Sequence, residues 1–125
     1  MHLYIFHNIL AHLTLHACRY YLPGSLKAKL CVEGNAKMYA YCDAHGIPYD
    51  RCGKVIVAVD ATEVPGLQEI YRRGQENGVA GLSWLSAAEL RVVEPHCRGV
   101  AAVHCSSTGI TDYKQVPLRM LQTLC

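Results

Sequence analysis

Several motifs that would define a function directly are missing from this 125-residue sequence. Gly-x-Gly-x-x-Gly, Gly-x-x-x-x-Gly-Lys-Ser/Thr and Gly-x-Ser-x-Gly are all absent, so neither a phosphate-binding loop nor a nucleophile elbow is predicted. None of the 7 cysteines forms a Cys-x-x-Cys pair, which excludes a zinc ribbon and a thioredoxin-like motif. An uncharged apolar run of about 18 residues is also lacking, so no membrane-spanning helix is predicted.

The charge composition does not point to a strongly charged partner either. The formal net charge is +2, and no run of five Lys or Arg residues occurs, which argues against a nucleic-acid partner. Residues 1–16 contain four His but no Lys or Arg, so we expect neither a secretory signal nor a mitochondrial presequence in this chain. What is present is a 51% hydrophobic share, which is enough to build the core of one domain.

The histidine and cysteine positions do not predict a metal site. His12 and His16 stand four residues apart and would share one face of a helix, but neither a third ligand nor a His-Glu-x-x-His motif accompanies them. The cysteines are odd in number, and several occupy apolar-patterned positions. We therefore predict that most are reduced, buried small hydrophobes in a reducing compartment.

The order of elements predicts an α+β or α/β fold, with one small mixed sheet and flanking helices. A Pro-Gly turn leads to Ser25 as the cap of a helix over 26–44, with Leu26 and Leu30 in its apolar stripe and Gly46 after its end. A strand covered on both faces is predicted over 52–59, and further strands over 82–85 and 99–105.

Three more helices follow from capping and stop signals. Thr62 is the predicted cap of the second helix, and Ser86 with Glu89 forms a capping box for a short third helix that ends before Glu94-Pro95. Asp112 is the predicted cap of a last helix, which we expect Pro117 to kink or fray.

One stretch is dense in residue types that recognise a small carboxylic acid, because it combines a base, phenols and cations around a tight turn. Its members are His16, Arg19, Tyr20, Tyr21, Ser25, Lys27 and Lys29. The alternative reading is a solvated helix start with two half-buried tyrosines. His104 and Asp112-Tyr113 form a second polar group, for which ordinary sheet-edge residues are the alternative.

Residues 20–31 read Tyr-Tyr-Leu-Pro-Gly-Ser-Leu-Lys-Ala-Lys-Leu-Cys and closely resemble a segment of the L-2-hydroxyglutarate dehydrogenases. These belong to the D-amino-acid-oxidase-like family of FAD-dependent oxidoreductases. The resemblance continues through residues 45–49, 52–58, 77–79, 94–95, 98–99 and 108–113, and covers roughly residues 16–116.

The resemblance implies FAD-dependent oxidation of L-2-hydroxyglutarate to 2-oxoglutarate, a small dicarboxylate, with a base taking the hydroxyl proton. It implies His16 as the catalytic residue, and Tyr21, Lys27 and Tyr113 as substrate-binding residues; no residue is assigned to the cofactor or to a metal. The family is mitochondrial in animals and cytoplasmic or peripheral to the membrane in bacteria.

The family's Gly-x-Gly-x-x-Gly unit has no counterpart here, so we expect an interior, substrate-side fragment that does not retain FAD alone. The expected divisions are a divergent segment at 1–15, a partial oxidoreductase domain at 16–116 and a divergent tail at 117–125. Two other interpretations stay open. One is a non-catalytic remnant or binding module without flavin, and the other is a related FAD-dependent amino-acid or 2-hydroxy-acid oxidase.

Overall fold

The structure, a computed structural model, describes residues 2–4, 12–15, 21–112 and 114–124. The strands are β1 His2–Tyr4, β2 His12–Leu15, β3 Tyr49–Asp50, β4 Lys54–Ala58, β5 Leu82–Ser86, β6 Ala101–Cys105 and β7 Gly109–Asp112. The helices are α1 Leu26–His45, α2 Val64–Glu76, α3 Ala87–Val93 and α4 Gln115–Leu124, with a 3₁₀ turn at Ala61–Glu63. The predicted α+β class is confirmed, but the strands form two antiparallel sheets rather than one mixed sheet.

The larger sheet has the strand order β1-β4-β6-β5, and its two central strands supply the main core. Ile56 and Val103 face α2, where they pack with Leu67 and other buried residues. Val57 and Ala102 point to the opposite face, against α3 and the loop after it. The prediction that the strand around Ile56 is covered on both faces is therefore confirmed, since all five residues of β4 are buried.

The smaller sheet has the order β2-β7-β3 and lies against α1 and α4. Cys42 of α1, Ile47 of the following loop and Val116 of α4 form the buried cluster on this side. Residues 106–108, which we call the β6–β7 turn, join β6 of the larger sheet to β7, the central strand of the smaller sheet. This turn is consequently the point where the two sheets meet.

Helix α1 begins and ends where the sequence predicts, but it buries a different face. Ser25 caps it by accepting a hydrogen bond from the backbone N–H of Ala28, and Gly46 follows it with φ 64°. The predicted apolar stripe is wrong at its amino-terminal end, because Leu26 and Leu30 are 70% and 57% exposed. The residues that α1 buries are Ala28, Tyr39 and Cys42.

Two helix starts also differ from prediction. Asp60, not Thr62, caps the turn before α2, because the Asp60 carboxylate accepts the N–H of Thr62 itself. Pro117 is the third residue of α4, inside the first turn, where its missing N–H has no partner to lose, and the helix continues past it to Leu124. The capping box of Ser86 and Glu89 is present as predicted.

At the amino-terminal side, residues 12–15 form a strand, so the helical face expected to join His12 and His16 is wrong. Cys42, Cys52, Cys97 and Cys105 are free thiols, as predicted for most cysteines, and all but Cys52 are buried. Cys31 is an exception, because it is disulfide-bonded. None of the helices described is both long and apolar enough to cross a membrane.

Candidate functional site

Of the four site residues predicted from the sequence, the structure describes two. His16 and Tyr113 lie outside the described residues. Tyr21 and Lys27 are described, and the structure brings them together at the start of α1. We call this place, formed by Tyr21, Lys27 and the turn between them, the α1 entry.

At the α1 entry a cation lies over an aromatic ring. The Lys27 Nζ is 5.9 Å from the centroid of the Tyr21 ring, and both side chains are exposed. The turn between them is closed by a hydrogen bond of 3.1 Å from the Ser25 N–H to the Leu22 carbonyl. Asn77, at the end of α2, donates a hydrogen bond of 3.1 Å from its side-chain amide to the Tyr21 carbonyl. This bond connects the α1 entry to the end of α2.

Further along α1, two polar side chains converge on one carbonyl of the β6–β7 turn. Tyr39 Oη donates to the Ser107 carbonyl at 3.0 Å, and Asn35 Nδ2 donates to the same oxygen at 3.2 Å. Asn35 Nδ2 also donates to the carbonyl of Leu15, the last residue of β2, at 3.2 Å. Residues one helical turn apart on α1 thus fix both the β6–β7 turn and the end of β2.

The phenol of Tyr39 lies in a packed aromatic setting. Its ring is edge-on to Tyr49 with a centroid distance of 5.0 Å, and the Arg51 guanidinium stands 4.0 Å above it. Burial raises the pKa of Tyr39, and the positive charge of Arg51 opposes that rise in part. Tyr39 therefore stays protonated at neutral pH and keeps its role as a hydrogen-bond donor to the turn.

Backbone contacts complete the fixing of the β6–β7 turn. The Gly53 N–H donates to the Thr108 carbonyl at 2.9 Å, and the Ser106 N–H donates to the Gly81 carbonyl at 3.0 Å. Gly109 lies so close to the Tyr39 hydroxyl and the Asp50 carbonyl that a Cβ would overlap both. A glycine is therefore required where the chain leaves the turn and enters β7.

Within this turn, the Thr108 hydroxyl differs from the backbone groups in having no hydrogen-bond partner among the described residues. Thr108 is 3% exposed, and its Oγ1 has no hydrogen-bond partner in the part of the chain that the structure describes. Thr111, two residues into β7, is similarly buried but satisfied, since its Oγ1 donates to the Pro48 carbonyl at 3.0 Å. Two buried threonines three positions apart, one in the turn and one in β7, thus differ in whether the hydroxyl is used.

The α1 entry and the β6–β7 turn are separate places along one helix. With a rise of 1.5 Å per residue, the backbones of Lys27 and Asn35 differ by about 12 Å along the α1 axis. Of the second polar group predicted from the sequence, His104 is half-buried on β6 with its Nε2 beside Gly53, Asp112 ends β7 in the other sheet, and Tyr113 lies outside the described residues.

Sequence reasoning missed Asn35, Tyr39 and Thr108. The available signal was the pair Gly34-Asn35 in the middle of a 20-residue helix, where both residue types are poor helix formers. A local choice that conflicts with its element often marks a residue selected for another purpose. Across residues 2–4, 12–15, 21–112 and 114–124, no group of three or more His, Cys, Asp or Glu side chains is placed to hold a metal ion.

Comparison with known proteins gives a consistent answer. Residues 9–124 match the family model described as FAD dependent oxidoreductase. The chain is 52% identical over 109 residues to the mitochondrial L-2-hydroxyglutarate dehydrogenase of Mus musculus and 50% identical over 109 residues to that of Homo sapiens. It is 45% identical over 103 residues to the L-2-hydroxyglutarate dehydrogenase of Indibacter alkaliphilus.

These alignments cover most of this chain but only a small part of each relative. They include 87% of this chain against the mouse and human proteins and 82% against the bacterial one. The chain spans 24% of the length of the first two relatives and 26% of the third.

Proposed function

The chain belongs to the FAD dependent oxidoreductase family. On that premise we propose that it is the substrate-side part of an L-2-hydroxyglutarate dehydrogenase, which oxidises L-2-hydroxyglutarate to 2-oxoglutarate. The observation that carries the proposal is the identity of 45–52% with three proteins of that name from two mammals and a bacterium. The matched region includes the α1 entry and the β6–β7 turn.

The residues described here do not fit the dinucleotide part of FAD. When bound, FAD supplies the acceptor for the hydride that leaves the substrate carbon. Its pyrophosphate is held in this class of fold by a glycine-rich turn between a parallel strand and a helix N-terminus. Both described sheets are antiparallel, and α2, with Glu63 as its cap residue and Pro65 in its first turn, does not follow such a turn. We therefore assign this chain the substrate and not the dinucleotide.

A dicarboxylate requires cationic and hydroxyl donors, and the α1 entry provides both. Lys27 is exposed and has no carboxylate partner among the described side chains. Its ammonium and the Tyr21 phenol would bind the carboxylate farther from the reacting carbon. Tyr113 is the proposed third member of the substrate-binding set.

Oxidation of a secondary alcohol also requires a group that accepts the hydroxyl proton. We assign this role to His16, because a neutral imidazole has a ring nitrogen that can accept a proton. The last described residue before it, Leu15, is buried and is held through its carbonyl by Asn35.

A second candidate function is a binding module without flavin. The antiparallel arrangement of both described sheets favours it, since this arrangement offers no dinucleotide turn. Under this interpretation the chain binds a dicarboxylate or a protein partner without turning it over. A related FAD-dependent amino-acid or 2-hydroxy-acid oxidase is the third interpretation.

The cellular location and the membrane association of the protein are proposals drawn from its family. The mouse and human relatives carry the word mitochondrial in their names. We propose a mitochondrial location if the chain is eukaryotic, a cytoplasmic or membrane-peripheral one otherwise, and peripheral membrane association for the full-length family.

The substrate class is tested by titrating the isotope-labelled chain with L-2-hydroxyglutarate and following amide shifts by NMR. We expect saturable shifts at the α1 entry and around the β6–β7 turn, with weaker binding of L-glutamate, because an ammonium, which cannot accept a hydrogen bond, replaces the 2-hydroxyl of the substrate. Glutarate, which lacks the 2-hydroxyl, is the second comparison ligand. Equal shifts for every anion, or none for L-2-hydroxyglutarate, would contradict the assignment.

A further inference from the structure

The outer edge of the larger sheet is an open strand without the usual protection against pairing. Strand β5 is the last in the order β1-β4-β6-β5, and no other described strand pairs with its outer side. All residues of β4 are buried, whereas none of the residues of β5 is. The sequence of β5, Leu-Ser-Trp-Leu-Ser, contains neither a charged residue nor a proline, which are the features that keep most edge strands from accepting another chain.

The pairing of β5 with β6 determines which of its backbone groups point outward. The Ser106 N–H donates to the Gly81 carbonyl at 3.0 Å, one position before the pair of Leu82 and Cys105. Hydrogen-bonded and non-hydrogen-bonded pairs alternate along an antiparallel ladder. Leu82 and every second residue after it therefore direct their N–H and C=O groups away from β6, towards the open side.

The end of the strand agrees with this assignment. The Ser86 N–H points outward by the same alternation, and it donates to the Glu89 carboxylate in the capping box of α3. Ser86 is thus engaged by its own helix. Leu82 and Trp84 are the residues of β5 whose outward backbone groups are available to a further strand.

The side chains of the same two residues are apolar and only partly covered. Leu82 and Trp84 lie on the α2 face of the sheet and pack, half-buried, against its core cluster. Trp84 is the one tryptophan of the chain, and its ring is edge-on to that of Tyr71 in α2 with 5.8 Å between the centroids. Tryptophan and tyrosine are enriched where protein surfaces bind each other, because they bury a large apolar area.

We propose that β5 is a dimerisation edge, at which a second copy of this chain adds its own β5 in antiparallel orientation about a two-fold axis at Ser83. This register places Leu82 of each copy opposite Trp84 of the other. The residues with outward backbone groups then form hydrogen-bonded pairs, and their side chains pack together on the α2 face. The contact uses the same surface in both copies and closes at two chains.

The charge distribution favours a second copy as the occupant. Because β5 has no charged side chain, pairing it with itself brings no like charges together, and a strongly charged partner segment would meet no counter-charge. The neighbouring helix α2 carries both signs, since Arg72 is ion-paired with Glu69 and Glu76. The formal net charge of +2 also keeps the repulsion between two copies small. The proposal does not depend on the substrate, because β5 contributes no residue to the α1 entry or the β6–β7 turn.

The first test follows the mass of the wild-type chain by light scattering from about 1 to about 200 µM, a range that separates a stable dimer from a weak one. We expect the mass to rise from one chain to two and to stop there. The Trp84 fluorescence should shift to shorter wavelength over the same range, because the ring becomes more buried. A mass of one chain throughout, a mass that grows beyond two chains, or a doubled mass without a change in Trp84 emission would each overturn the proposal.

The second test exchanges charges at the axis, where Ser83 faces Ser83 of the other copy. Ser83→Lys and Ser83→Asp each place like charges opposite one another, so each variant alone should dimerise at least about tenfold more weakly than the wild-type chain. An equimolar mixture of the two variants places opposite charges together and should recover the two-chain mass. Recovery on mixing distinguishes the contact from a simple loss of stability, which mixing would not repair.

The control makes the same two substitutions at Gln68, which is exposed on α2. Gln68→Lys and Gln68→Asp should dimerise like the wild-type chain, alone and mixed. If Ser83→Lys dimerises as well as the wild-type chain, the copies meet at another surface and the assignment of β5 is wrong. If the mixed Ser83 variants stay monomeric while the wild-type chain dimerises, residue 83 does not face its own copy and the proposed register is wrong.

Discussion

The hydroxyl of Tyr39 and the carbonyl of Ser107 are joined by a hydrogen bond of 3.0 Å that ties α1 to the β6–β7 turn. The two residues are 68 positions apart in the sequence. The bond therefore connects the longest helix to the point where the two sheets meet. The same turn carries the buried Thr108 hydroxyl, which has no hydrogen-bond partner among the described residues.

Removing the Tyr39 hydroxyl should weaken this connection without disturbing the ring. Tyr39→Phe keeps the contacts with Tyr49 and Arg51, and Asn35 still bonds the Ser107 carbonyl. We expect the free energy of unfolding, measured by urea titration, to fall by about 1 kcal/mol. Tyr49→Phe is the control and should cost less, because its hydroxyl bonds Asp43 at an exposed site. Equal losses for both variants would argue against a special role for the Tyr39 bond.

The two glycines Gly34 and Gly109 should respond in opposite directions to alanine. A Cβ at Gly109 overlaps the Tyr39 hydroxyl and the Asp50 carbonyl, so Gly109→Ala should destabilise the chain by about 1–3 kcal/mol. A Cβ at Gly34 meets open space inside a helix, so Gly34→Ala should stabilise it by roughly 0.5–1 kcal/mol. Thermal unfolding of both variants measures the difference, and a neutral Gly109→Ala would contradict the close packing described.

The sequence predicted those parts of the fold that local chemistry determines. Ser25 and Gly46 bound α1, and Ser86 with Glu89 opens α3, because capping groups act on neighbouring backbone atoms. The continuous apolar run around Ile56 correctly indicated a strand covered on both faces. The apolar stripe of α1 was wrong because burial of that helix is decided by residues outside it, such as Ile47 and the more distant Val116.

The candidate site was predictable only in part, for a similar reason. Tyr21 and Lys27 are close in sequence, and a short turn suffices to bring them together. The hydrogen bonds from Tyr39 and Asn35 to the Ser107 carbonyl join residues that are 68 and 72 positions apart. No local sequence pattern indicates such a pairing. The pairing of β3, which follows α1, with β7, which follows the turn, brings these segments to the same sheet.

The α1 entry makes a direct prediction for substrate affinity. Lys27→Ala should weaken L-2-hydroxyglutarate binding by roughly tenfold, since a charged donor to a carboxylate is removed. Lys37→Ala is the control on the same helix, where the lysine is exposed and ion-paired with Glu33 at 3.8 Å. NMR titration of both variants gives the dissociation constants. Unchanged affinity in Lys27→Ala would remove Lys27 from the substrate-binding set.

The acid sensitivity of the fold should depend partly on α2. Hydrogen bonds and charge from Arg72 and Arg73 lower the pKa of Glu69 from 4.5 to about 2. A depressed pKa means that the contribution of Glu69 to stability is complete above pH 4.5 and declines as the pH falls towards 2. Glu69→Gln should therefore flatten the pH dependence of the unfolding midpoint in that window, with the contribution itself small because the site is exposed. A dependence as steep as that of the wild-type chain would exclude this ion pair as a contributor.

We propose that this chain provides substrate-binding surface and that its described residues have no site for the FAD dinucleotide. The most direct measurement is to incubate the purified chain with excess FAD, pass it through gel filtration and record visible flavin absorbance in the protein peak, with L-2-hydroxyglutarate binding followed on the same sample. The account predicts saturable substrate binding and a colourless protein peak. A yellow peak with one FAD per chain would contradict it.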